Sequence, residues 1–469
     1  MGSRGEALPL LDRAADDACC DACRAQPVLA ATPGRTVPER PAVARTNATG
    51  RATDKRITAL AVGMAAGYVA LAAFSLFAPV ALRQGGWLPL HLVLAGGATT
   101  AIAGVMPFFS ASVASVAPAA PAIRLAGVAG VALGAAVVTA ARAFWSGDPS
   151  GALAAVGGLI YLGGIAAVAA ATLLPLRRAL GTRRVMLAVS YGAALAAVAA
   201  GTTIATLFVA GWRPVVEAWD VLKPAHAWLN VVGFVSLVVA ASLLHLLPTV
   251  AGARIGVDRS GRLVILALSV GPLLVALGLA TRLSLGTTSG VLVTLVGALL
   301  LAWHARGVHA RRGRWSSDPS WHGFALASLL AAVAWFVLAV AIAAWGTIEG
   351  GASAGGWRPS TFIVPLAVGW VLQSLIGAWT HLVPSIGPGG LGRHAQQRRL
   401  LGRLALGRWA VFQAGTASLA LGIPLGRPEL AIAGALLLVG TAAISLSLLA
   451  ASLVTAEGQD IRGAAGIAA

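Results

Sequence analysis

Apolar and polar residues alternate along this chain with the period of a bilayer crossing. Between Ile57 and Val454, twelve apolar stretches lie at roughly 58–82, 88–113, 123–143, 152–175, 185–210, 226–248, 263–283, 287–304, 322–346, 361–384, 406–425 and 429–454, separated by short polar loops. Each approaches or reaches the ~20 residues that carry a helix across the hydrocarbon core. Ala, Leu, Val and Gly fill them without period-2 alternation, which argues against a β-barrel. The pattern predicts an all-α polytopic membrane helix bundle of about twelve transmembrane helices over residues 56–456, with a tail at 1–55 and a short one at 457–469.

Composition agrees: 58% of the residues are apolar, 11% are charged and the mean hydropathy is +0.83, whereas soluble domains carry about 25% charged residues. The net charge of +18 follows from topology. If both termini are cytoplasmic, 27 of the 34 Lys and Arg residues fall on the inner side, among them Arg177, Arg178, Arg183, Arg184, Arg311, Arg312, Arg314, Arg398 and Arg399, as the retention of positive loops requires. These arginines sit in loops too short to build a folded basic face, so nucleic acid is not an expected partner. Membrane lipid is, and the expected location is the inner (plasma) membrane. Residues 1–55 are polar, lack the apolar core of a signal peptide and read as a disordered cytoplasmic tail. The tail holds Cys19, Cys20 and Cys23, a Cys-x-x-Cys spacing with no second pair to complete a structural zinc site.

None of the sixteen Asp and Glu residues falls in the interior of a stretch, and the ionisable residues placed in the membrane read as histidines. An ionisable group there is a functional-site hypothesis by default, and neutral imidazole is a ligand for haem iron, copper or zinc. His91 opens the second stretch in Trp87-Leu88-Pro89-Leu90-His91, and His226 opens the sixth in His226-Ala227-Trp228-Leu229-Asn230. Both enter from the outer side, at matched depth, and can share one ligand, as bis-imidazole haem ligation requires. Gly96, Gly97 and Gly233 follow within two turns and would make room for it. The structural reading is that each ring snorkels to the interface.

A second set repeats. Gly233-Phe234 precedes His245-Leu246-Leu247-Pro248, and Gly369-Trp370 precedes His381-Leu382-Val383-Pro384; Gly to His is twelve positions and Gly to Pro fifteen in both. This predicts that the sixth and tenth stretches are structural counterparts. Both histidines lie at inner ends, where His322 also enters, so His245, His381 and His322 form a candidate metal cluster; alternatively each caps its helix or braces a loop. His304, His309 and His394 lie among arginines and read as solvated.

Twelve spans with both termini inside, together with Pro89-Leu90-His91 and the run from His226 to Pro248, resemble subunit I of the haem–copper oxidase superfamily. The resemblance is to its cbb3-type branch, and especially to the oxidase-like membrane regions found with bacterial copper nitrite reductases. It implies haem b, or copper, held by His91 and His226, and a role in electron transfer or in metal and nitrogen-oxide handling. The implied partner is a redox protein such as a copper nitrite reductase or a cytochrome. It does not extend to oxygen reduction: the chain has no His-His pair, and its seventh stretch has no histidine. No catalytic residue is expected, and Gly-x-x-x-x-Gly-Lys, the motif of a nucleotide-driven pump, is absent. The rival expectation is a non-redox permease or scaffold with structural histidines.

Overall fold

The computed structural model describes residues 42–180, 182–254, 259–314, 318–350, 359–386 and 391–465; the three cysteines lie outside them. The helix bundle belongs to a compact unit spanning Gly50–Ala469. Eleven helices among the described residues are long and apolar enough to cross a membrane. We name α1 (Ala42–Ser75), α2 (Val80–Val113), α3 (Pro121–Phe144), α4 (Asp148–Leu176), α5 (Thr182–Val209) and α6 (Trp219–Ala251). The chain continues through α7 (Arg259–Ala280), α8 (Ser284–Ala310), α9 (Pro319–Glu349), α10 (Pro359–Pro384), α11 (Ala405–Gly422) and α12 (Pro428–Ala465). The twelfth expected crossing is α11. Its 18 residues span about 27 Å at ~1.5 Å per residue, but Arg408 and Gln413 dilute its hydropathy. A short polar helix, Leu391–Leu401, lies between α10 and α11.

The helices form three consecutive sets of four, α1–α4, α5–α8 and α9–α12. In the first two sets the third and fourth helices make the most extensive pair, while in the third set α9 against α10 exceeds α11 against α12; in all three sets small residues let the backbones of the third and fourth helices touch. A Cβ on Gly130 would lie 2.7 Å from the Gly164 backbone; Gly278 is as close to Thr287, and Gly422 to Ala431. The second helix of each set lies innermost: α2, α6 and α10 are 67%, 89% and 78% buried over their apolar windows, against at most 56% elsewhere. The sixth and tenth spans are counterparts, as their spacing predicts, and α2 joins them.

The inner helices share a defect. Each widens into a π-helical segment, Leu92–Ala98 in α2, Leu229–Ser236 in α6 and Pro365–Leu372 in α10. The fifth residue of each is glycine: Gly96, Gly233, Gly369. Each glycine receives a side chain from the first helix of its own set. The Tyr68 ring of α1 lies 2.3 Å from where a Cβ on Gly96 would sit, Ala197 of α5 lies 3.0 Å from that of Gly233, and the Trp335 ring of α9 lies 2.4 Å from that of Gly369. A π turn strands a carbonyl, and in two segments a hydroxyl at the eighth position recovers it from the third: Thr99 Oγ1 donates to Leu94 O at 2.9 Å and Ser236 Oγ to Val231 O at 2.8 Å. In α10 the eighth residue is Leu372.

Candidate functional site

His91 and His226 stand beside two of these π segments, at the end of the bundle away from the Arg-rich loops. His91 immediately precedes Leu92, and His226 stands three residues before Leu229. Ahead of His91, Gln84, Gly85 and Gly86 all have positive φ, reaching +106° at Gly86, which only glycine adopts without strain. This sharp turn starts the helix at Trp87, four residues before the histidine, and the Trp87 ring stacks on the imidazole with centroids 4.1 Å apart.

The imidazole orientation is fixed in both cases by a main-chain carbonyl. His91 Nδ1–H donates to Trp87 O at 2.8 Å, and His226 Nδ1–H donates to Gly201 O of α5, also at 2.8 Å. Asn230 Nδ2 stands 3.0 Å from the same nitrogen and 2.8 Å from His226 O. Because a carbonyl can only accept, Nδ1 carries the proton and the amide donates to His226 O. A proton held on Nδ1 leaves Nε2 with its lone pair, the form in which imidazole ligates a metal. Both rings are half-buried. Trp219, stacked on Phe208 at 3.7 Å, sits 6.4 Å from His226. Trp87, Trp219, Gly201 and Asn230 are the supporting residues that the sequence analysis did not single out. Their signal was present as helical spacing, Trp four before His91 and Asn four after His226.

Two expectations change. Gly96, Gly97 and Gly233 do not open space for a ligand: the Tyr68 ring, Val69 and Ala197 with Pro272 already fill the space beside them. Histidines are also not the sole ionisable groups in the spans, because Arg124 of α3 and Arg408 of α11 are 3% and 4% exposed.

At the opposite, Arg-rich end the histidines are differently placed. His322 and His381 come together, ring centroids 6.3 Å apart, with Trp321 stacked on His381 at 5.0 Å and edge-on to His322. Trp321 Nε1 donates to Thr380 O, and Arg398, 5.6 Å over the Trp321 ring, pairs with Asp318 at 2.7 Å. His245 packs toward Phe109 of α2, 6.4 Å away. Among the described residues no three His, Cys, Asp or Glu side chains are grouped to hold a metal ion, so His245, His322 and His381 are not gathered as one ligand set. His304 is buried, where solvation was expected.

The helix carrying His226 also carries Trp228, and Trp228 meets Phe362 of α10 edge to face at 6.3 Å. In the register of the π segments, Trp228 is the counterpart of His91 and Phe362 the counterpart of His226. By this register His91 on α2 and His226 on α6 stand at the positions that Trp228 on α6 and Phe362 on α10 fill with two touching aromatic rings. No protein-family model and no curated protein matches the chain. Fold and site together define a multi-pass, all-α membrane protein in which two of the inner helices, α2 and α6, each carry a histidine beside a π-helical segment.

Proposed function

We propose that the protein is an inner-membrane redox protein that holds haem b through His91 and His226, without oxygen-reducing chemistry, and passes electrons to or from a partner such as a copper nitrite reductase or a cytochrome. The observation that supports this reading is that each imidazole is pinned at Nδ1 by a main-chain carbonyl, which leaves its Nε2 with the lone pair. Two nitrogens match the axial demand of haem; copper or zinc sites ordinarily draw three or four protein ligands, which makes copper the alternative. Bound there, haem would supply a one-electron iron couple. The chain's own part is to hold the rings, to cover them with Trp87 and Trp219, and to keep carboxylates away from them.

Absorption spectra of the purified protein test the proposal. A Soret band with sharp reduced α and β bands is expected, lost in His91→Ala and in His226→Ala while helical content and elution volume are retained. Bound copper without a Soret band would move the assignment to copper. Neither metal nor any effect of the two substitutions beyond stability would leave the permease or scaffold reading, which the close-packed glycine pairs also accommodate.

A further inference from the structure

Each loop at the Arg-rich end is too short to make a basic face by itself, but two of them meet. α6 stops at Gly252, whose φ of +64° is the left-handed conformation that ends a helix, and the turn carries Arg254 to the surface. α8 ends at Ala310, and the chain after it runs back to α6: Gly313 N–H donates to Ala251 O at 3.0 Å. A Cβ on Gly313 would lie 2.9 Å from Gly252 O, so a larger residue could not come as near. This backbone pairing sets Arg311, Arg312 and Arg314 beside the turn that bears Arg254, and all four are exposed. Among the described residues none of the four is in an ion pair, and Asp318 at the same end is committed to Arg398 at 2.7 Å. Gathered cations repel one another within a Debye length of about 8 Å. An anion seated among them would remove that repulsion.

The helix that delivers the arginines fixes their depth. Trp303 of α8 is 66% exposed, and the Arg306 guanidinium lies 6.0 Å over its ring, an amphipathic aromatic with a cation, as at a membrane–water boundary. Arg311 follows Arg306 by little more than one helical turn, which sets the patch at the level of lipid headgroups. Beneath it there is surface for acyl chains: Leu268 of α7 packs where a Cβ on Gly297 of α8 would sit, so Leu266 and Leu299, both exposed, stand at one depth on this helix pair. A soluble anion would use the arginines alone, whereas a phospholipid uses both layers.

We infer that the paired loops form a binding site for the headgroup phosphate of an anionic phospholipid, with Arg254, Arg311, Arg312 and Arg314 as its cations. The inference is independent of the histidine pair. The full chain in detergent is titrated with phosphatidylglycerol, and separately with zwitterionic phosphatidylcholine, at constant ionic strength. The melting temperature should rise and saturate with phosphatidylglycerol alone, as ligand linkage requires. Replacing Arg254→Gln, Arg311→Gln and Arg314→Gln together should shift the half-saturating lipid fraction upward about tenfold, equivalent to roughly 1.4 kcal/mol. The control is Arg177→Gln with Arg178→Gln, an exposed basic pair after α4, which should leave the response unchanged. Glycerol 3-phosphate, which has the phosphate without the chains, should not reproduce the rise. Equal responses to the two lipids, or equal losses in the two variants, overturn the site and leave only a general attraction of basic loops to the membrane. A full response to glycerol 3-phosphate overturns the lipid assignment in favour of free phosphate.

Discussion

Ser236 does two things at once. Its hydroxyl donates to the carbonyl that the α6 π turn strands, and its oxygen accepts the indole N–H of Trp370 from α10 at 2.9 Å. Both side chains are fully buried, and Phe336 stacks on Trp370 at 4.6 Å. Ser236→Ala would leave a buried donor and a buried acceptor unsatisfied at one stroke. We expect it to destabilise by about 1–3 kcal/mol, seen as a lower melting temperature. A melting temperature unchanged from wild type would mean that water or a shifted turn replaces the hydroxyl. The residue scale is also where sequence reading went furthest astray. An arginine inside an apolar run was passed over because its partners, the carbonyls of Leu401 and Arg403, belong to the end of the preceding helix and the turn after it, whose path composition does not reveal.

At the scale of elements, the bilayer made most of the architecture readable. A crossing needs length and apolarity, both visible in a run such as that of α9, so eleven spans followed directly from hydropathy. The π segments were not readable in this way, since no residue type demands one. Their trace was the glycine at the fifth position, noticed in α6 and α10 because a His-Leu-x-Pro end follows twelve residues later. In α2 the residue twelve after Gly96 is Phe108, so the third copy carried no such flag. The purpose of the glycines near His91 was misread, because what fills the space beside Gly96 comes from α1. The role of these glycines gives a test. Gly369→Ala sets a methyl 2.4 Å from the Trp335 ring, and overpacking of this kind costs about 1–3 kcal/mol. Gly63, beside which nothing lies within 4 Å, should accept Ala with no loss, since Ala is the better helix former. Equal melting temperatures for the two variants would deny the α9/α10 contact its role.

For the whole molecule, the arrangement of charge sets both orientation and response. We predict that the loops at Arg177 and Arg178, at Arg311 and Arg312, and at Arg398 and Arg399 face the cytoplasm, because 27 of 34 basic residues then lie on that side. Reporter fusions in those loops should report cytoplasmic placement, and activity of a periplasm-only reporter there would invert the assignment of both histidine sets. The confinement of charge to the two ends has an electrical consequence. The membrane field works on charge that moves through it, about 2.3 kcal/mol for each elementary charge carried across 100 mV. Between its ends this bundle offers that field imidazoles and hydroxyls, with the buried Arg124 and Arg408 each the fourth residue of its helix and so close to an end. A rearrangement of its inner helices would therefore shift almost no gating charge, and the energised and the resting membrane would hold the protein in the same conformation.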